Sequence, residues 1–288
     1  MRRFSADYLE RTRAGLWAGD RAALADLRLG EVDSVLDVGC GTGEFTRVLA
    51  AECPGRVIGC DRDPELLAHL RGGGDGDGGE DGTADADGPD AGDDRGRIHA
   101  VRGDALTLPL PEDSVDVVAC QALLVNLPDP ERAVREFARV ARERVAVVEP
   151  DNARVRVDST VEEEPPLARR ARELYLAGVG TDAALGDASD LFRSAGLADV
   201  RVRRHDHERT VEPPYSEAEL AAVGRKARGD ALRDRRAELR RALDADGLDE
   251  FRSDWRAMGR TVVEQVRAGD YRRRETIPFF VTVGEVRG

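Results

Sequence analysis

The stretch from Val35 to Phe45, VLDVGCGTGEF, constrains this chain more than any other. A short apolar run, Val35, Leu36 and Val38, is interrupted by Asp37. The glycine turn Gly39-Cys40-Gly41-Thr42-Gly43 follows, then a helix-like run from Glu44 to Ala51. Strand, glycine turn and helix in that order hold nucleotide-like ligands, because glycine adopts positive φ and lets the backbone approach the ligand closely. The spacing is G-x-G-x-G rather than the G-x-G-x-x-G that cradles a pyrophosphate. That spacing, with an acid inside the strand end, disfavours an NAD-dependent oxidoreductase.

The following segments extend the pattern. Residues 56–61, RVIGCD, read as a second strand with Asp61 at its carboxyl end. An acid about 20 residues after such a turn can accept both ribose hydroxyls of an adenosine. A helix cap is the plain alternative, but Asp63 followed by Pro64 fills that role for a helix over 64–70. Arg62 offers a flat guanidinium that can stack on a base. Residues 97–102 read as a third strand, followed by Gly103-Asp104-Ala105, where an aspartate also suits an ordinary turn. Residues 115–121, VDVVACQ, are almost continuously apolar, as a buried parallel strand requires. ALLVNLPD then leads into a helix over 130–142, and residues 144–149 form a fifth strand. It ends in Pro150-Asp151-Asn152, at the carboxyl edge where open α/β sheets bind ligands.

With Asp61 and Asp104 in place, VLDVGCGTGEF resembles the first motif of class I S-adenosylmethionine (SAM)-dependent methyltransferases. The phrase from Gln121 to Pro130 resembles the same segment of small-molecule and quinone-type members. It lacks the N-P-P-Y tetrad of adenine and glutamine methyltransferases, and EPPY at 212–215 lies too late in the chain to replace it. The resemblance implies SAM as cofactor. Asp37 would orient the turn and approach the methionine amino group, and Gly39, Cys40, Gly41 and Gly43 would line the methionine and ribose. Asp61 would hold the ribose hydroxyls, with Arg62 beside it. Asp104 and Ala105 would meet the adenine, and Gln121 would sit on the sulfur side. The implied reaction is in-line SN2 transfer of the methyl group to a small-molecule acceptor. Alignment and exclusion of water can supply roughly 7–11 kcal/mol in such a step, so a chemically quiet site is compatible with it. No catalytic base and no metal site are assigned. Asn126, Glu149 and His205 are positional candidates for substrate contact, and Tyr8 and Trp17 for pocket walls.

The element order is β-α-β-α-β-α-β-α-β-α-β, then helices, then β. This predicts an α/β, Rossmann-like, seven-stranded and mostly parallel sheet with an antiparallel final strand and helices on both faces. The division expected is an N-terminal helical cap over 1–30 and a SAM-binding domain over 31–210. A helical substrate-pocket insertion over 211–270 and the last strand over 271–288 complete it. Within the SAM-binding domain, residues 72–96 are Gly- and Asp-rich with almost nothing apolar, which predicts disorder.

The 288 residues carry a net charge of −13, and Lys226 is the sole lysine. Acidic excess with arginine as the cation suits a salt-adapted, halophilic, cytoplasmic protein. It also argues against a nucleic-acid partner. An RNA methyltransferase remains the alternative through Arg225, Arg228, Arg235, Arg236, Arg240 and Arg241, although interleaved acids read as ion-paired helix faces. A non-catalytic SAM-binding module is the other alternative. Cys40, Cys53, Cys60 and Cys120 form no C-x-x-C pair and read as small buried hydrophobes. No apolar run reaches membrane-spanning length, and MRRFSADYLE does not read as a signal peptide.

Overall fold

The computed structural model describes residues 6, 9, 15–19, 21–72 and 97–287. Tyr8, part of the expected N-terminal cap and residues 73–96 of the expected insertion lie outside them. The chain divides into two compact units. The first comprises the chain up to Glu149, Asp187–Arg204 and the chain from Phe280 on. The second comprises Pro150–Gly186 and His205–Phe279, so residues 150–186 lie outside the unit that carries the glycine turn.

The first unit is built on β1 (Ser34–Val38), β2 (Arg56–Asp61), β3 (Ile98–Arg102), β4 (Val115–Gln121) and β5 (Ala141–Pro150). The order is β3-β2-β1-β4-β5, continued by β8 (Arg273–Glu285). The pairs β1–β2, β2–β3, β1–β4 and β4–β5 are parallel. β1 and β4 are buried at every position, as a parallel sheet covered on both faces demands. Helices α1 (Glu44–Glu52), α2 (Pro64–Gly72) and α3 (Pro130–Val140) connect the strands. α3 starts with Pro130, and the Asp129 side chain accepts the Arg132 N–H, so proline and cap together fix its first turn. The order reverses at β1, whose neighbours are β2 and β4. That switch point opens a crevice beyond the carboxyl ends of the strands.

All seven expected strands are present, together with a short one, β6 (Arg156–Ser159), which pairs antiparallel with the start of β8. β6 was illegible because its four residues, RVDS, carry one apolar side chain and no alternation. The sixth strand expected is β7 (Ala198–Val211), paired with β8.

The second unit contains α4 (Glu164–Gly178), α6 (Glu217–Ala227), α7 (Asp230–Asp234), α8 (Arg236–Ala242) and α9 (Ala245–Ala268); the short α5 (Ser189–Ser194) belongs to the first. Ser216 and Glu219 form the capping box expected of α6. Leu174, Leu239, Phe251, Trp255, Met258 and Val262 share one apolar core with Tyr271. A polar network is buried with them. Glu164, 1% exposed, accepts from Ser159 at 2.7 Å, Tyr271 at 2.9 Å, Arg273 at 2.8 Å and the ammonium of Lys226. Burial drives Lys226 down to about 8, against the pull of Glu164. Burial and the Glu164 charge both push Tyr271 up.

Candidate functional site

The glycine turn closes off β1 with Gly39, Gly41 and Gly43 at φ of 71°, 56° and 90°. All three lie in the left-handed region that favours glycine. At two of these positions a side chain would also press on a neighbouring leucine. A Cβ on Gly39 would fall 2.8 Å from Leu123, and one on Gly43 would fall 2.3 Å from Leu70. Glycine therefore lets the turn lie flat against the segment after β4 and against α2 while the backbone doubles back.

Asp61 ties the end of β2 to this turn. Its Oδ2 accepts the Gly41 N–H at 3.0 Å and its Oδ1 accepts the Asp63 N–H at 2.9 Å. Each oxygen keeps a further lone pair, so the half-buried carboxylate remains able to receive ligand hydroxyls. Asp63 in turn accepts the Glu65 N–H at 3.0 Å, as a cap on the helix that starts at Pro64 should. Asp37 is 1% exposed and accepts the Thr46 hydroxyl at 2.6 Å. It therefore anchors α1 to the strand that delivers the turn. Thr46 was missed because its meaning depends on one helical turn bringing it over Asp37.

Cys40 is a correction at the level of its side chain. The thiol is buried against Leu67 and Leu70, and burial followed by the Asp37 charge pushes it far above the usual range. The thiol also donates to Gly41 O at 3.8 Å, and the Cys40 N–H donates to Cys60 O at 3.1 Å. All four cysteines are free and buried, as small core residues should be.

Asp104 is exposed, and its Oδ1 accepts the Leu106 N–H at 2.9 Å, a local turn; Ala105 beside it is buried. Gly103 donates its N–H to Asp61 O at 3.1 Å, so this turn is docked on the end of β2. Arg62 is exposed, and its carbonyl accepts from Arg102.

The end of β4 carries the densest set of contacts. Gln121 is 3% exposed and accepts the Trp17 indole N–H at 2.7 Å. Trp17 is 5% exposed and stacks on Phe45 at 6.1 Å. Ala122 has φ of 50°, an unusual value for a residue with a Cβ and one found where a backbone is held to a task. Its N–H donates to Val148 O at 2.8 Å. Asn126 caps its own turn, donating to Ala122 O at 2.9 Å.

Glu149 differs from its expected role. It is wholly buried, and its carboxylate accepts the N–H groups of Leu123 at 3.0 Å, Leu124 at 2.8 Å and Val125 at 3.3 Å. It is a clamp on the segment after β4 rather than a group presented to substrate. A glutamate ending an apolar strand gives no sign of whether it faces a ligand or three amides. His205 lies half-buried in β7 within the second unit, and Tyr8 is outside the described residues. Among the described residues there is no cluster able to hold a metal ion, and no helix is long and apolar enough to cross a membrane.

The groups gathered here are a turn of positive-φ glycines, an acid with free lone pairs, and an amide at the end of β4. Residues 36–148 match a known family described as a methyltransferase domain. The match supports a SAM-dependent methyltransferase domain of the class I superfamily. The chain is 32% identical over 128 residues to the demethylmenaquinone methyltransferase of Shouchella clausii, covering 44% of this chain and 47% of that one. It is 29% identical over 153 residues to the 2-phytyl-1,4-naphtoquinone methyltransferase of Synechococcus elongatus, covering 50% of this chain and 53% of that one. It thus spans about half the length of these curated relatives. The YcgJ protein of Bacillus subtilis superposes with a TM-score of 0.51 at 17% identity, over 93% of this chain and 100% of that one. At that identity the likeness shows the fold alone.

Proposed function

We propose that this protein is a methyltransferase that transfers a methyl group from SAM to a small-molecule acceptor, with a quinone-type ring as the first acceptor class to try. The observation that carries this reading is the hydrogen bond from Gly41 N–H to Asp61 at 3.0 Å. It sets an acid and a glycine turn side by side at the switch point of a parallel sheet, inside the span that matches a methyltransferase domain. The names of the curated relatives favour an aromatic or quinone acceptor.

Bound in the crevice, SAM supplies a methyl group already made electrophilic by its sulfonium, ready for in-line displacement. The protein's part is to bind, orient and exclude water. Asp61 would hold the ribose hydroxyls, Gly39 to Gly43 would lie along the ribose and methionine, and Asp104 with Ala105 would flank the adenine. Asp37 and Thr46 keep the turn in register with α1. Glu149 holds the segment Leu123–Val125 from behind, so Leu123 stays packed on Gly39. Fixed positioning of this kind reduces the entropy lost on reaching the reactive geometry.

Calorimetric titration with SAM and with NAD tests the reading, repeated on Asp61→Ala. SAM should bind and NAD should not, and the variant should lose at least about tenfold in affinity, the equivalent of one charge-assisted hydrogen bond. Failure of SAM to bind, or equal binding by the variant, would refute it. Labelled-methyl transfer onto a demethylated naphthoquinone then tests the acceptor.

A further inference from the structure

We propose that Trp17 is a positioning residue: it turns the Gln121 amide so that its NH2 group receives the carboxylate at the methionine end of SAM. This rests on reading the crevice as a SAM site, and it assigns an atom to a task that the fold alone leaves open.

The indole N–H of Trp17 is only a donor. It lies 2.7 Å from Gln121 Oε1, so the amide oxygen must face the indole. The amide is planar, and its Nε2 is therefore directed away from Trp17. Gln121 is 3% exposed, yet among the described residues Nε2 meets no acceptor. An amide donor that the protein leaves without an acceptor stays available to a ligand. The indole is itself fixed, stacked on Phe45 with an interplanar angle of 27°. Phe45 is the second residue of α1, the helix that the glycine turn feeds.

Gln121 is the last residue of β4, and Cys120 before it pairs with Val38, the last residue of β1. The unpartnered donor thus stands beside the glycine turn. The turn's own amides are largely engaged. Gly39 and Cys40 donate to Cys60 O at 2.7 and 3.1 Å, Gly43 donates to Cys40 O at 2.9 Å, and Gly41 donates to Asp61. A carboxylate arriving there finds these four N–H groups taken. The side-chain amide of Gln121 is a donor available to meet it.

Two ligands separate this role from general support of the site. S-adenosylhomocysteine and 5′-methylthioadenosine share adenosine and a thioether, but only the first carries the amino-acid end. Each is titrated calorimetrically into the wild type, Trp17→Phe and Gln121→Glu. Trp17→Phe keeps an aromatic ring beside Phe45 and loses the N–H together with the second ring, a packing loss that falls on both ligands alike. It should weaken S-adenosylhomocysteine about tenfold, the size of one hydrogen bond to a charged group, while 5′-methylthioadenosine changes less than about twofold. Gln121→Glu places an oxygen where the NH2 stood. It should weaken S-adenosylhomocysteine further and again spare 5′-methylthioadenosine, and it carries the test if Trp17→Phe does not fold. Equal losses for both ligands, or undiminished S-adenosylhomocysteine binding, would overturn the proposal. A wild type that binds neither ligand would overturn the methyltransferase reading itself.

Discussion

Glu149→Gln is the perturbation whose consequence the structure specifies most closely. The carboxylate is 0% exposed and accepts three backbone N–H groups, two at Oε1 and one at Oε2. Glutamine has nearly the same shape but only one acceptor. Two bonds to Leu123 and Leu124 would survive as neutral ones, each weakened by about 1 kcal/mol. At the second position an NH2 group would face the Val125 N–H, donor against donor, leaving a buried amide unsatisfied at about 1–3 kcal/mol. The total is about 3–5 kcal/mol of lost stability. A unit of this size melts about 2–4 °C lower per kcal/mol, so the first transition should fall by roughly 10 °C. Differential scanning calorimetry reads it directly, and Glu149→Asp should fare no better because the shorter side chain cannot reach all three amides. A shift under about 2 °C would refute the clamp. The same variant should bind SAM more weakly, because Leu123 would no longer be held against Gly39.

Other perturbations probe separate parts of the molecule. Thr46→Val removes the 2.6 Å hydrogen bond to buried Asp37 without changing shape; it should cost about 1–3 kcal/mol by urea unfolding, and no change would show the bond to be idle. His207 is buried and held down to about 4, chiefly by burial and then by Arg209 and His205. The unfolded chain therefore takes up its proton first as pH falls, so stability should drop between about pH 6.5 and 4, by up to about 3 kcal/mol; His207→Leu should lack that slope. Lys226 titrates at about 8 in the folded state because of burial, below its value in an unfolded chain. Between about pH 8 and 10.5 the unfolded chain holds the extra proton, so this group's contribution to stability rises with pH across that window. Lys226→Met should flatten the rise, and an unchanged slope would point to another group. With a net charge of −13, the wild type should also melt higher as salt is raised from low concentration, which a melting series in potassium chloride checks.

Much of the fold was legible because its signals are local. VDVVACQ reads as a buried strand from its seven residues alone, and β4 is indeed buried throughout. Ser216 and Glu219 announce α6 from three residues apart. The short β6 was invisible for the converse reason: it exists by pairing with residues more than a hundred positions away. The site divides along the same line. Asp61 and the glycine turn were readable because strand, positive-φ glycines and the following strand end are written in short contiguous runs. Trp17 and Gln121 stand 104 residues apart, and no pattern in either segment marks the other as its partner.

By itself the sequence determined that a parallel sheet would form, where its glycine turn would fall, and which acid would follow the second strand. These follow from hydrophobic runs, positive φ and strand length, all properties of contiguous residues. Tertiary structure alone decided what the buried polar groups do. It turned Glu149 inward onto three amides, took the Cys40 thiol into the core, and gave the Gln121 oxygen to Trp17 so that its NH2 is left over. A buried polar group takes its meaning from its hydrogen-bond partners, and those are chosen by packing between segments rather than by neighbours in the chain.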